Sequence, residues 1–543
     1  MPTLHWIGKE KVINHHLEVP YKILEHRYGC DNGKQSKNET ESENKIIHGD
    51  NLEALKALLP EYEGRVKCIY IDPPYNTGSE GWVYNDNVND PKIKRWLGEV
   101  VGKESEDLTR HDKWLCMMYP RLKLLHKLLD KDGLIFMSLD DNELENGMIL
   151  LNEIFGRKNK LSCAPWLAEP SGGKEKTKLR NGHEYILVYH KGDASSITQE
   201  ERSEGKLALK DGKGKYKKGR ELRKWGGVSL RTDRPGQWFP LRNPEGIEVY
   251  PYRNDGVEGH WRWGKEQKMK SIIEDPNEAH WELCSYDEGV IVNGQTERWV
   301  PFEKIRKEKR MVGWGTWLDS VGYNADGTAT LKAIFGNKVF ETPKPVTLIE
   351  WLISLHTDED AIVLDSFAGS GTTAHAVLNL NKQDGGNRKF ILIEMEDYAE
   401  HITAERVRRV ITGYGKDKKA VEGTGSGFDY YELGQPLFIE PEVLNEAVPT
   451  EKIREYVWYT ETRQRFSSVN AEEKHLLGVA NNTAYYFYYC KDQITTLDDH
   501  FLRTLKTKAE QYIIYADNCL LEESFMQKYH IIFKKIPRDI TRF

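Results

Sequence analysis

Residues 66–75, Val-Lys-Cys-Ile-Tyr-Ile-Asp-Pro-Pro-Tyr, decide the fold, because an apolar run ends abruptly in an acidic residue and two prolines. The run Val66–Ile71 predicts a buried strand, and the prolines cannot continue it. Upstream, 46–48 predict a short strand, and Asp50 can cap a helix in which leucines recur at helical spacing. Strand, helix and strand at this spacing are typical of a right-handed βαβ unit in a parallel sheet.

Further elements follow the same pattern outside a long polar loop at 76–112. Apolar periodicity predicts a helix at 115–129, a turn at Asp132–Gly133 and strands at 134–139, 185–189, 361–364 and 390–393. Between about 195 and 335 the chain is rich in Gly, Pro, Trp and Arg and has no helical period. An inserted domain therefore interrupts the predicted sheet.

Composition restricts the class of protein. The 543 residues are 30% charged and 38% hydrophobic, without an apolar run near the ~18 residues of a membrane helix. Residues 1–16 lack the apolar core of a signal peptide, so a cytoplasmic location is expected. The seven cysteines form no Cys-x-x-Cys pair, which favours reduced thiols and no metal site. The net charge of −7 does not by itself indicate a nucleic-acid partner.

The most specific motif is Asp72–Pro73–Pro74–Tyr75, at the end of the predicted strand. The prolines stiffen the turn, so the Asp72 carboxylate and the Pro73 carbonyl can accept both hydrogens of one amino group. Tyr75 supplies a flat face beside them. The alternative interpretation is a proline-rich turn whose aspartate caps a helix. An open α/β sheet binds ligands at this edge, which favours the catalytic interpretation.

A second motif joins a strand to a glycine loop and a helix. Asp365 ends the strand, Gly369–Ser370–Gly371 form the loop, and Glu394 lies about 20 residues downstream, where an acid typically accepts from ribose hydroxyls. Such a loop lets the backbone approach a nucleotide-like cofactor closely. It is not a Walker loop, since no Lys-Ser or Lys-Thr follows the glycines. An ordinary strand-to-helix turn with a surface glutamate remains the alternative.

Taken together, these motifs resemble those of amino-group DNA methyltransferases. Their order, catalytic motif before cofactor motif, resembles the permuted β class, and residues 47–52 and 69–78 are similar to the modification subunits of type III restriction systems. The likeness extends through about residue 145 and resumes from Lys344–Pro345 to about Tyr398. It implies a Rossmann-like α/β core that uses S-adenosylmethionine.

The resemblance also implies a role for individual residues. Those implied for catalysis are Asp72, Pro73, Pro74 and Tyr75. Those implied for the cofactor are Asp50, Lys344, Asp365, Phe367, Ala368, Gly369, Ser370, Gly371, Thr372 and Glu394. Asp50 is expected near the adenine of the cofactor, although it can cap a helix at the same time.

Five domains are predicted on this basis. They are an N-terminal extension (1–45), the catalytic half of the core (46–194), a target-recognition domain (195–335), the cofactor half (336–424) and a small C-terminal α/β domain (425–543). In the last of these, strands are predicted at 485–489, 512–515 and 530–533.

The insertion carries a basic run with interleaved aromatic residues, a composition that suits phosphate contacts and base readout. The residues expected to contact DNA are Lys215, Lys217, Lys218, Arg220, Arg223, Lys224, Arg231 and Arg234. A solvated charged loop is the alternative. The position of the insertion between the two halves of a split methyltransferase favours DNA recognition over that alternative.

The sequence thus predicts methylation of the N6 amino group of an adenine that is flipped out of double-stranded DNA. Alternatives are N4-cytosine methylation, a stand-alone adenine methyltransferase, a catalytically silent DNA-binding module and a methyltransferase for RNA or small molecules. C5-cytosine methylation is disfavoured, since no Pro-Cys pair occurs. The type III resemblance implies a homodimer and a separate restriction subunit, because this chain shows no Walker loop.

Overall fold

The computed structural model describes residues 5–76, 106–172, 179–192, 197–356, 358–440, 443–467 and 473–543. The chain forms two compact units, one of residues 1–198 and 315–543 and the other of residues 199–314. No helix in the described ranges has the length and apolar character needed to cross a membrane.

The strands in chain order are β1 Lys22–Asp31, β2 Lys34–Ser36, β3 Lys45–His48, β4 Val66–Ile71, β5 Leu129–Leu139, β6 Lys160–Leu167, β7 His183–His190, β8 Glu200–Ser203, β9 Leu209–Asp211, β10 Gly214–Glu221, β11 Leu241–Arg242, β12 Glu248–Val249, β13 Ala279–Ser285, β14 Glu297–Ile305, β15 Lys309–Val312, β16 Ile362–Asp365, β17 Lys389–Glu394, β18 Gly413–Tyr414, β19 Val421–Glu422, β20 Gly427–Pro436, β21 Phe438–Glu440, β22 Val443–Leu444, β23 Leu476–Ala480, β24 Thr483–Phe487, β25 Thr496–Leu497, β26 Gln511–Ala516, β27 Asn518–Cys519 and β28 Ile531–Lys535.

The α-helices are α1 Lys9–Val12, α2 His15–Glu18, α3 Asn51–Tyr62, α4 Glu106–Leu128, α5 Leu144–Leu151, α6 Met269–Glu274, α7 Asn324–Phe335, α8 Val346–Ser354, α9 Thr372–Asp384, α10 Glu405–Thr412, α11 Thr450–Thr462, α12 Asp499–Leu502 and α13 Glu523–Lys528.

A ten-stranded sheet in the order β2-β1-β20-β3-β17-β16-β4-β5-β7-β6 forms the centre of the first unit. The strands from β20 to β5 run parallel, and β2, β1, β7 and β6 complete the edges in antiparallel pairs. Helices such as α3, α4 and α9 cover the sheet, so the parallel strands are apolar along their length. The predicted α/β fold is confirmed.

The chain reverses direction across the sheet between β16 and β4. These strands pair directly, with Asp365 opposite Tyr70, while β17 follows β16 on one side and β5 lies beyond β4 on the other. A crevice opens at such a switch point outside the carboxyl ends of the strands. Both predicted motifs end strands there, and the sheet therefore brings them together.

All six strands predicted for the core lie in this sheet. The two strands of the predicted βαβ unit, β3 and β4, are not neighbours in the sheet, because β17 and β16 lie between them. The predicted turn at Asp132–Gly133 lies inside β5, where the pairing with β4 shifts register. Most of the predicted loop at 76–112 lies outside the described residues.

Three predicted domain boundaries differ from the structure. Residues 1–45, predicted as a separate N-terminal extension, belong to the core, because β1 and β2 lie in the central sheet. The C-terminal region does not begin a separate domain at 425, since β20 pairs with β3 and the side chains of α11 join the main core. The compact insertion is 199–314 rather than 195–335, because α7 belongs to the first unit.

The second unit contains the four-stranded sheet β13-β14-β10-β9 and its own small core. Leu222, Phe239 and Trp261 are buried there against Met269 of α6. The absence of a helical period in the sequence is consistent with this strand-rich unit.

Candidate active site

A cavity of about 670 Å³ lies at the switch point of the sheet. Its walls come from the turn after β4, the loop after β16, the segment before α8 and the residues after β17. The residues lining it are Tyr70, Asp72, Pro73, Pro74, Tyr75, Asn76, Trp114, Val339, Phe340, Glu341, Thr342, Pro343, Lys344, Asp365, Phe367, Ala368, Gly369, Ser370, Thr372, Thr373, Glu396, Tyr398 and Ile402. The predicted catalytic and cofactor motifs therefore share one cavity.

Asp72 presents an acceptor to this cavity. Its buried Oδ1 accepts no hydrogen bond from the described residues, although the ammonium of Lys344 lies 3.3 Å away. Burial raises the pKa of Asp72, and the charge of Lys344 offsets part of that rise. The Asp72 side chain as a whole is 25% exposed and lines the cavity, so its carboxylate can meet a donor on a ligand.

Lys344 links Asp72 to two further side chains. Its Nζ donates to Tyr75 Oη at 2.7 Å and to Glu184 Oε2 at 2.8 Å, and it lies 4.8 Å from the centre of the Tyr75 ring. The Tyr75 hydroxyl donates to the same Glu184 oxygen at 2.7 Å. The prediction assigned Lys344 to the cofactor; in the structure Lys344 lines the shared cavity and its ammonium contacts the catalytic motif.

The charges of Lys344, Asp72 and Glu184 stabilise one another. Burial opposes ionisation of Glu184, but Lys344 lowers the pKa of that carboxyl overall. Burial likewise opposes the charge of Lys344, yet Asp72 and Glu184 raise its pKa overall. The lysine therefore stays protonated between two carboxylates.

Glu184 was not singled out from the sequence. It lies at the start of β7, directly before the predicted apolar strand at 185–189, and Asn324 donates to its other oxygen at 3.3 Å. An acidic residue that opens an otherwise buried strand is the signal that could have identified it.

The turn after Asp72 is fixed by two anchors. The indole nitrogen of Trp114 donates to the Pro74 carbonyl at 2.8 Å. Asn76 has a left-handed backbone (φ 56°), and its amide nitrogen bonds to the fully buried carboxylate of Glu143, which His111 also contacts at 2.6 Å. These contacts set the direction of the Asp72–Tyr75 motif.

Two buried acids hold the glycine loop. Asp365 accepts from the Phe367 amide at 3.0 Å and from the Thr373 hydroxyl at 2.5 Å. Glu394 accepts from the Gly369 amide at 2.7 Å. Burial raises the pKa of each of these two carboxyls to about 7.

The glycines in this loop are required by its backbone. Gly369 and Gly371 have φ of 51° and 80°. A Cβ on Gly369 would lie 3.3 Å from the Phe340 ring, and one on Gly371 would lie 3.2 Å from the Thr403 carbonyl oxygen. A side chain at either position would be strained and crowded.

Three residues predicted for the cofactor, Asp50, Gly371 and Glu394, do not line the cavity. Asp50 caps α3 by accepting from the amides of Leu52 and Glu53 at 2.9 and 3.1 Å. Glu394 is 1% exposed and turned toward the backbone of the loop. In its place, Glu396 and Tyr398 line the cavity, and the Tyr398 ring meets Phe340 edge to face at 5.5 Å.

Acids distant in the chain pair with part of the basic run in the second unit. Lys218, Arg220 and Arg231 pair with Glu282, Glu303 and Glu258 at 2.7, 3.3 and 2.9 Å. Arg223 is buried against Glu221, and Lys217 donates to the Glu204 carbonyl. Of the eight residues predicted to contact DNA, Lys215, Lys217, Lys224 and Arg234 have no ion pair among the described residues. Their contact with DNA remains a prediction.

The family follows from comparison with known proteins. Residues 66–405 match the model of the N6/N4 DNA methylase family, and the chain belongs to that family. This range begins with β4 and ends at the start of α10, so it contains both motifs and the insertion.

Two relatives and one solved structure are similar to this chain over about two thirds of its length or more. The EcoPI Mod subunit of a type III restriction-modification enzyme from Escherichia phage P1 is 34% identical over 431 residues, which cover 73% of this chain and 64% of that protein. The type II methyltransferase M.KpnI from Klebsiella pneumoniae is 35% identical over 361 residues, 64% of this chain and 80% of that protein. A crystal structure of an M1.HpyAVI–SAM complex aligns with 67% of this chain and 98% of its own, at 14% identity and a TM-score of 0.30.

Proposed function

We propose that this chain is a site-specific DNA methyltransferase that transfers a methyl group from S-adenosylmethionine to N6 of adenine in double-stranded DNA. One observation carries the proposal: the Asp72–Tyr75 motif and the glycine loop after Asp365 line the same cavity of about 670 Å³. A transfer reaction needs donor and acceptor held in one geometry, and this arrangement provides it.

The cavity fits S-adenosylmethionine, which when bound supplies a methyl group on a sulfonium centre. Gly369 leaves space for close approach of the cofactor to the backbone of the loop. Ser370 and Thr372 add hydroxyls at the start of α9, and Phe340 and Tyr398 add aromatic surface. Asp50 and Glu394 support this site indirectly, through α3 and the loop.

The residues after β4 act on the amino group. The Asp72 carboxylate accepts one of its hydrogens, and the Pro73 carbonyl accepts the other. Two acceptors favour the pyramidal form of the nitrogen and stabilise the positive charge that develops on it. The Tyr75 ring, which lines the cavity, stacks on the base.

Glu184 serves as a positioning residue in this proposal. It shares the charge of Lys344 with Asp72 and holds the Tyr75 hydroxyl. The lysine is therefore shared between Asp72 and Glu184, and the Asp72 carboxylate, which lines the cavity, can still accept from the substrate.

Adenine is favoured over cytosine by the type III Mod subunits among the relatives and by the aspartate at position 72, where N4-cytosine enzymes more usually carry serine. N4-cytosine methylation is the alternative, as is a stand-alone enzyme of the kind represented by M.KpnI. The unit 199–314 is the target-recognition domain in this proposal, and double-stranded DNA, a second copy of the chain and a restriction subunit are the partners.

Methylome sequencing tests the proposal directly. The chain is expressed in cells that lack DNA methylation, beside an Asp72→Ala variant as the matched control. The expected result is N6-methyladenine at one short motif with the wild type and none with the variant. N4-methylcytosine would replace the adenine assignment, and unmodified DNA in both strains would refute the function.

A further inference from the structure

A buried arginine lies directly behind the glycine loop. Arg406 of α10 is 0% exposed. Its Nη1 donates to Ser370 Oγ and Thr372 Oγ1, both at 2.8 Å, and its Nη2 lies 3.4 Å from His375 Nδ1. Within the ranges that the structure describes, no carboxylate pairs with this guanidinium. Arg406 is therefore a buried positive charge bonded only to neutral groups.

Such a charge is costly unless an anion compensates it. Burial lowers the pKa of Arg406 to about 9, which still leaves it protonated at neutral pH. Burial also lowers the pKa of His375 well below its usual value, so this neighbour is neutral and adds no second positive charge. The described residues supply no counter-charge, so an anionic group on a ligand in the cavity would stabilise this guanidinium.

The two hydroxyls connect the arginine to the cavity. Ser370 and Thr372 line the cavity, whereas Arg406 does not. A hydroxyl that accepts from a guanidinium has its own hydrogen free to donate elsewhere. The Thr372 hydroxyl has one weak acceptor, the Lys344 carbonyl at 3.4 Å. Both hydroxyls are at the N-terminal end of the 13-residue helix α9, where the helix dipole also favours an anion.

We propose that Arg406 is the positioning residue for the carboxylate of the cofactor: through Ser370 and Thr372 it selects a ligand that bears an anion over the same ligand without one. The inference rests on the proposed function, since it takes S-adenosylmethionine as the ligand. It assigns a role to a residue that does not touch the cofactor.

Calorimetric titration with two ligands tests this role. S-adenosylmethionine and decarboxylated S-adenosylmethionine share the adenosine, the sulfonium and the amine and differ in the carboxylate. Arg406→Met is expected to reduce the preference for the carboxylate-bearing ligand about tenfold or more, the scale of a hydrogen bond to a charged group. Arg406→Lys, which keeps the charge, is expected to retain part of the preference.

A matched control comes from the same unit. Arg388 is also buried but pairs with Asp384 at the far end of α9, away from the cavity. Arg388→Met should leave the preference unchanged. Ser370→Ala and Thr372→Val keep the arginine and remove the connecting hydroxyls, so each should lower the preference even if Arg406→Met does not fold; thermal unfolding establishes which variants are folded.

The outcomes separate the two proposals. Equal loss of affinity for both ligands in the Arg406 and hydroxyl variants would assign the arginine a purely structural role and overturn the inference, as would an unchanged preference. A wild-type chain that binds neither ligand would overturn the proposed function together with it.

Discussion

Tyr75 allows the role of the ring to be separated from the role of the hydroxyl. The hydroxyl donates to Glu184 and accepts from Lys344, both at 2.7 Å, but these two partners also bond to each other at 2.8 Å. Tyr75→Phe therefore leaves the ion pair intact. We expect it to cost about 1–3 kcal/mol of folding stability, the scale of buried groups that lose a hydrogen bond. The rate of methyl transfer should fall less than about threefold, because the ring stays in place.

Tyr75→Ala removes the ring as well. Base stacking is worth about 1–3 kcal/mol, so the rate should fall about fivefold to 150-fold. The assay is single-turnover methylation of a duplex with the motif found by methylome sequencing, with 2-aminopurine at the target to report base flipping. Thermal unfolding of both variants measures the stability term separately. A Phe variant as inactive as the Ala variant, at equal folded fraction, would refute the stacking role and identify the hydroxyl as the reacting group.

Four further outcomes follow from the same contacts. Asp72→Ala should lower the single-turnover rate about 10²–10³-fold while calorimetry shows unchanged cofactor affinity; an active variant would contradict the acceptor role. Glu184→Gln should lower kcat about tenfold, by freeing Lys344 to pair with Asp72, without changing cofactor affinity; a loss of affinity would contradict the positioning role. Burial raises the pKa of Asp365 to about 7. Between about pH 4 and 7 the folded state therefore keeps a proton on this carboxyl that the unfolded state has lost, and stability falls as pH rises across that window. Asp365→Asn should flatten this part of the Tm–pH profile, and an unchanged slope would contradict the raised pKa of Asp365. Exchanging residues 199–314 with the equivalent segment of a relative should change the methylated motif, and an active chimera with the original motif would place specificity elsewhere.

Apolar periodicity is enough to locate the strands of the core, and residue type is enough to locate the two motifs at their ends. Parallel strands buried on both faces must be apolar throughout, and most of the parallel runs here end at an aspartate, a glutamate or a glycine. The segments Val66–Ile71 and Phe390–Ile393 could therefore be located without a structure. The chemistry of Asp72–Tyr75 follows from residue type and local spacing in the same way.

The side chains that complete the site could not be identified from the sequence, because their contacts depend on strand order. Lys344 reaches Tyr75 across 269 residues and Glu184 across 160, since β16 lies beside β4 in the sheet. Apolar periodicity predicts strands but does not specify which strands pair. Only the tertiary structure could thus show that the ammonium of Lys344 contacts the catalytic motif.

The roles of the charged side chains also depend on burial and charge pairing in the folded protein. In the sequence Arg406 is one of several arginines near the end of the core, and the basic run of the insertion faces few acids close to it in the chain. In the folded protein Arg406 is enclosed behind the glycine loop without a counter-charge, whereas Lys218 and Arg220 meet acids on other strands. The free energy of a charge depends on its surroundings in space, and distant segments of the chain supply those surroundings.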